Sequence, residues 1–218
     1  MSMDSTGLKS AYASAASDLL ALRSSPPRER ADAARNRAAV LDAAAELFAR
    51  HGVASVSMDA IAAAAGVGKG TLFRRFGDKA GLAAALLDER ERVLQQRILS
   101  GPPPLGPGDR GAEPPPDARL RAFVEAYLDY ALEHLDLVRM SETAAPGARY
   151  RIGAYRFWHR HVAVLIGLAR PESDADALAH AVLAPLAGEH LNAVVTEQGP
   201  DRVRGAVLAL VTAVLARR

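Results

Sequence analysis

The chain has 218 residues, half of them apolar, and 27 Lys and Arg against 25 Asp and Glu leave a net charge of +2. That supplies a real core and fits one small and one medium domain; the faintly basic balance suits nucleic acid without demanding it. With no cysteine there is no disulfide framework and no thiolate metal site, and no apolar run approaches the roughly 20 residues of a membrane span.

The N-terminus lacks a basic segment followed by an apolar core, so no signal peptide is expected and the chain is read as cytoplasmic. Residues 1–35 read as a mobile basic arm, with one helical turn possible over Asp18 to Leu22 before Ser24-Ser25-Pro26-Pro27 breaks it. Arg28, Arg30, Arg35 and Arg37 lead toward the first helix. Such an arm reaches phosphates or the minor groove, and Arg35 and Arg37 are the best placed for it. The first helix is predicted from Asn36 to Arg50, with Val40, Ala43, Ala44 and Leu47 on one stripe and Gly52 ending it.

The stretch from Ser57 to Lys79 reads as two short helices joined by a tight turn. Ser57 caps the first and Asp59 sits in its first turn, where the helix dipole favours a negative charge. Ile61, Ala62 and Ala65 share a face, and Gly66 is the left-handed stop. The second helix is predicted from Lys69 to Arg75, with Leu72 and Phe76 inward and Lys69, Thr71, Arg74 and Arg75 on or beside the outer face. In helix-turn-helix logic, the second helix presents its N-terminal residues to base edges in the major groove.

Ile61-Ala62-x-x-Ala65-Gly66-Val67-x-Lys69-Gly70-Thr71-Leu72-Phe73-x-x-Phe76-x-x-Lys79-x-x-Leu82 resembles the N-terminal signature of the TetR family of transcriptional repressors. Val40 to Gly52 resembles that family's first helix, so the likeness covers about fifty residues. Three positions depart from it: Phe73 where the family usually has tyrosine, Gly68 where it often has serine, and Ala80 where it often has an acidic residue. The resemblance implies a homodimer on near-palindromic double-stranded DNA, released by a small-molecule effector. It implies DNA contacts from Arg35, Arg37, Ser57, Gly68, Lys69, Gly70, Thr71, Leu72, Phe73, Arg74, Arg75 and Lys79, with Lys79 on a phosphate.

Asp78 caps a long fourth helix predicted from Lys79 to Leu99, in which Gly81 costs about 1 kcal/mol against alanine. The run Asp88-Glu89-Arg90-Glu91-Arg92 reads as a solvated, self-paired face. Gly101 to Pro116 is too rich in Pro and Gly for helix and is expected as an exposed loop. Five helices follow: Asp117 to His134, Leu135 to Thr143, Ala148 to Ala169, Glu172 to Val195 with a kink at Pro185, and one after Gly199-Pro200. No segment alternates like a strand, so the fold is expected to be all-α with about nine helices. Its domains are read as a head over 36–82 and a ligand-binding and dimerisation body over 83–218.

Phe123, Tyr127, Tyr130, His134, Met140, Glu142, Tyr155, Trp158, His161 and Asn192 are the candidates for lining a pocket between body helices. Ala181, Ala184 and Gly188, small enough for close approach, and Val203, Val207, Leu210 and Val214 are the candidates for a two-fold helical interface. No metal centre is expected. His159 and His161 are two apart and do not face each other on a helix, and the other histidines are scattered. No nucleophile elbow or glycine-rich phosphate loop occurs, so the chain is read as a non-enzyme without cofactor. An all-helical enzyme and a non-specific architectural DNA-binding protein are the alternatives.

Overall fold

A computed structural model describes residues 31–108, 113–151 and 153–216. Most of the basic arm, including the turn expected over Asp18 to Leu22, Arg28 and Arg30, lies outside the described residues. Within them every regular element is helical: α1 Ala31–His51, α2 Met58–Ala64, α3 Lys69–Phe76, α4 Lys79–Ser100, α5 Pro116–Glu133, α6 Leu135–Thr143, α7 Ala148–Arg151, α8 Gly153–Ala169, α9 Ala175–Leu183, α10 Gly188–Gln198 and α11 Pro200–Leu215. Two helices more than expected arise because the seventh predicted helix is two, α7 and α8, and the eighth is broken at Pro185. Proline has no N–H to donate and its ring meets the preceding turn, so α9 ends at Leu183 in a 3₁₀ turn, Ala184–Leu186, before α10 restarts. None of the described helices is long and apolar enough to cross a membrane.

The helices enclose two cores. The first buries Val40, Ala44 and Phe48 of α1, Met58 and Ile61 of α2, Leu72 of α3, and Leu82 and Leu86 of α4. Ser57 Oγ accepts from the Ala60 N–H at 3.1 Å and starts α2 where the sequence places it. Gly66, with φ +64°, makes the turn to α3 in a conformation that costs other residues a Cβ clash.

The second core begins one residue further along α4, with Leu87, and continues through Leu94 and Ile98 into α5, α8, α9 and α11. Leu120, Phe123, Leu128, Phe157, Leu165, Ile166 and Leu183 are its largest fully buried side chains on α5, α8 and α9. The loop after α4 is not wholly exposed: Leu105 is buried in this core, so the chain folds back before α5. Arg119 of α5 ties the end of α4 down by donating to the Ile98 carbonyl at 3.0 Å. Gly81 corrects an expectation as well. A Cβ there would stand 1.9 Å from the Phe76 carbonyl oxygen, so alanine is excluded by the sharp α3–α4 turn rather than favoured by helix propensity.

Candidate nucleic-acid interface and interior cavity

On α3 the predicted groove-facing residues divide by burial. Lys69, Gly70, Phe73 and Arg74 are exposed, and Thr71 and Arg75 are half-buried. Phe73, 45 % exposed, is one of the few large apolar side chains left in solvent. Added Cβ atoms at Gly68 and Gly70 would meet nothing within 4 Å, so this end of the helix presents bare backbone outward. Lys69 forms an ion pair with Asp59 of α2, both side chains exposed. Such a pair is worth at most about 1 kcal/mol, so an incoming phosphate or base edge competes with it readily.

Four of the predicted DNA contacts also have partners within the protein. Leu72 is 1 % exposed and belongs to the first core, because the inward face of α3 is what holds it to α1 and α2. Ser57 Oγ accepts in the α2 cap, which leaves the exposed hydroxyl its O–H to donate. Arg37 lies against α4, with Nη2 4.0 Å from the Asp88 carboxylate. Lys79 Nζ donates to the carbonyls of Val53, Ala54 and Val56 at 2.9, 3.0 and 2.9 Å. Those three bonds use every donor of the ammonium, so Lys79 clamps the α1–α2 connection and keeps its charge without a free N–H. Arg35 is exposed at the start of α1.

The second core surrounds a cavity of about 20 Å³, room for one water molecule. It is lined by Glu91 of α4, Tyr127 and Tyr130 of α5, Ser141 and Glu142 of α6, Arg149 of α7, and Tyr155 and Trp158 of α8. Five of the ten predicted pocket residues meet there. Phe123 and His161 stand behind them: the Phe123 ring lies 5.9 Å from Tyr127, 5.9 Å from Trp158 and 5.3 Å from His161. His134 is not among the lining residues; its ring meets Tyr130 at 5.9 Å and its Nε2 lies 3.7 Å from the Glu133 carboxylate. Met140 lies on the other side of α6, where it and Leu137 pack on the first core. Asn192 is half-buried on α10 and is not among the lining residues.

Three of the cavity's polar lining residues, Glu91, Ser141 and Arg149, are not among the predicted ones. Arg149 donates to Glu142 Oε1 at 2.5 Å, to the Leu183 carbonyl at 2.8 Å and to the Leu186 carbonyl at 3.4 Å. The other Glu142 oxygen accepts from the Gly188 N–H, 2.7 Å away, at the first residue of α10. The Tyr130 hydroxyl donates to Glu91 Oε1 at 3.1 Å. Burial pushes the Glu91 carboxyl up to about 7, with Asp88 and Glu142 adding to the shift and the Tyr130 hydrogen bond and Arg92 opposing it. Burial likewise holds the Tyr127 and Tyr130 hydroxyls above the usual phenol range. His161, fully enclosed, is pushed down to about 3 by burial and then by Arg119.

Glu91 was legible in part. Asp88 and Glu89 do pair with Arg92 on the surface, as the charge run implies. Glu91, however, falls on the Leu87, Leu94, Ile98 stripe at helical spacing, which is the inward face. Arg149 sits on a four-residue helix and gives no such signal.

Three further findings bear on the candidate residues. Gly188 lies inside the body: a Cβ would stand 2.8 Å from the Arg139 N and 3.0 Å from Val138 Cγ1, so its small size serves the packing of α10 on α6, not an interface. Val203 and Val207 are buried in their own body, and Val214 packs against the same core. Ala181, Ala184 and Leu210 face solvent, with Leu210 40 % exposed. Leu210 lines an open groove of about 380 Å³ with Pro185, His190, Val194 and Ala206. Finally, two of the scattered histidines meet, because α8 and α9 pack side by side. The rings of His159 and His180 are 3.9 Å apart, with Asp176 beside them.

Comparison with known proteins places this arrangement among regulators. Residues 40–86 match the family model of bacterial regulatory proteins, tetR family. The HTH-type transcriptional repressor Rv3405c of Mycobacterium tuberculosis is 32 % identical over 150 residues, which is 66 % of this chain and 67 % of that protein. The HTH-type transcriptional repressor SCO4008 of Streptomyces coelicolor is 28 % identical over 109 residues, covering 50 % of this chain and 49 % of its own. Among solved structures, a TetR-family transcriptional regulator from Pectobacterium atrosepticum superimposes with a TM-score of 0.60 at 26 % identity, over 86 % of this chain and 96 % of that one. A transcriptional regulator from Saccharomonospora viridis, solved in complex with choline, shares the fold with a TM-score of 0.56 at 22 % identity, over 81 % of this chain and 95 % of its own.

Proposed function

The chain belongs to the TetR family of bacterial regulatory proteins, and we propose that it is a repressor that leaves its operator when a small molecule enters the interior cavity. Residues 36–82 are the DNA-reading head and 83–218 the ligand-binding and dimerising body. Lys69, Gly70, Thr71, Phe73 and Arg74 face the major groove, Arg35 and Arg75 serve the backbone, and Lys79 holds the head in shape. The protein acts as a homodimer, setting two copies of α3 about one helical turn of DNA apart. Its chemistry is binding, not catalysis.

The observation that carries this reading is the division of labour along α4. Leu86 belongs to the first core and Leu87 to the second, and Glu91 reaches the cavity one turn on. Helix α6 repeats the arrangement, with Glu142 on the cavity and Leu137 and Met140 against the head. A cavity that holds one water must open to admit an effector, and opening it moves α4, α6 or both. The effector then prefers the opened state, as any ligand must that shifts an equilibrium. Its recognition falls to Glu91, Glu142 and Arg149, with Tyr127, Tyr130 and Trp158 as the walls.

The test is a gel shift on DNA selected from random genomic fragments. Sequence-selective, salt-sensitive binding is expected, and Lys69→Ala is expected to weaken it by about 1–3 kcal/mol and relax the sequence preference. Binding without sequence preference would instead make the protein architectural.

A further inference from the structure

We propose that His159, Asp176 and His180 form a binding site for a divalent transition ion of the zinc type, on the surface between α8 and α9. One ligand atom from each lies within 4.8 Å of the others. Asp176 and His180 are four residues apart on α9 and so share a face. His159 arrives from α8, with its Nε2 3.8 Å from the Asp176 carboxylate; the hydrogen bond that Nε2–H donates to the Asp176 carbonyl, at 3.1 Å, is given up when that nitrogen takes an ion. Two imidazoles and a carboxylate are donors that such an ion takes at about 2.0–2.2 Å, whereas calcium and magnesium favour shells of oxygen.

The set closes after a small contraction and a turn of the rings, since the His159 and His180 rings lie 3.9 Å apart and 32° from parallel and one must rotate to aim its lone pair at a shared ion. Ligands of a tetrahedral ion at that bond length stand roughly 3.4 Å apart, so the set closes by about 1–1.5 Å. The Asp176 side chain is 79 % exposed and swings without moving backbone. Three protein ligands leave a fourth position for water.

The site is also oriented from behind. The Tyr155 hydroxyl lies 2.7 Å from His180 Nδ1. With the Nδ1 proton donated to that hydroxyl, His180 Nε2 keeps its lone pair for the ion, and an outer partner of this kind sets ring angle and tautomer. Tyr155 also lines the interior cavity, where its ring centre lies 5.2 Å from the Arg149 guanidinium. One tyrosine therefore connects the surface site to the ion pair between α6 and α7.

The experiment titrates the full chain, stripped with a chelator, with Zn²⁺ by calorimetry and with Co²⁺ by visible absorption. Stoichiometric binding is expected, with the absorption of a four-coordinate nitrogen and oxygen site. His159→Ala and His180→Ala each abolish or strongly weaken it, and Tyr155→Phe weakens it about tenfold. No binding by the wild type, or undiminished binding by the His159→Ala/His180→Ala double variant, overturns the proposal. A measurement on the wild type guards against variants that misfold. Paramagnetic Co²⁺ is expected to shift the ring signals of His159 and His180, and shifts confined to His51 or His190 overturn the site. None of these readouts depends on DNA binding, so this site and the operator-reading function stand or fall separately.

Discussion

Glu91 and His161 are two enclosed groups whose protonation the fold controls, and they push stability in opposite directions. Glu91 is held near 7 against an ordinary 4.5, so the folded state keeps the proton more tightly than the unfolded chain. Its contribution is full below about pH 4.5 and is lost as pH rises through 7. His161 is held near 3 against 6.5, so its contribution is present above 6.5 and is lost as pH falls toward 3. Over their shared window the two slopes partly cancel. Glu91→Gln keeps an acceptor for Tyr130 and removes one slope. The variant is expected to gain stability relative to wild type between pH 5 and pH 8, by up to about 3 kcal/mol. Urea unfolding at both pH values checks this, and an unchanged difference would mean that Glu91 is ionised in the cavity. Phe73 offers a second test at this scale. It is exposed on α3 without a hydroxyl. Phe73→Tyr is expected to strengthen specific and non-specific DNA binding alike, because the added donor meets a phosphate and not a base.

Elements meet where glycine leaves no room. Helix propensity alone favours alanine over Gly81 by about 1 kcal/mol. The Phe76 carbonyl, 1.9 Å from where the Cβ would lie, is backbone and cannot step aside cheaply. Gly81→Ala is therefore expected to destabilise the head, by about 1–3 kcal/mol as overpacking does. Gly188→Ala acts likewise between α10 and α6, where it also disturbs the N–H that Glu142 accepts from. Thermal unfolding of each variant reads both effects. A rise in melting temperature for Gly81→Ala would show that propensity outweighs the turn.

For the whole molecule, the outward face of α11 is the surface on which the proposed dimer rests. Its inward line of Val203, Val207 and Val211 is used up on α5 and the rest of the body. Leu210 and Ala206 remain outside, on the groove shared with Pro185, His190 and Val194. A second copy seated there would cover them by two-fold symmetry. Leu210→Asp is expected to give monomers that lose high-affinity operator binding while keeping their helical content. Sedimentation together with the gel shift checks this, and a wild type that runs as a monomer at micromolar concentration overturns the dimer.

The sequence by itself determined the head. Its helices, caps and turn are local events: Ser57 bonds three residues on, Gly66 reverses the chain, and Leu72 sits at a helical interval from Phe76. Local signals survive in any tertiary setting, and they are also what the family resemblance reads. They leave the direction of a flexible side chain open, so only the structure shows Lys79 bonded to neighbouring carbonyls and Arg37 beside Asp88. Only the tertiary structure decided the rest. The cavity takes Glu91, Glu142 and Arg149 from three helices, and the histidine cluster takes His159 and His180 from two. The stripe on α11 has two apolar lines, and which one turns inward depends on α5, not on α11 itself. These groupings come from packing between distant segments, and helical periodicity specifies a face without specifying what that face will meet.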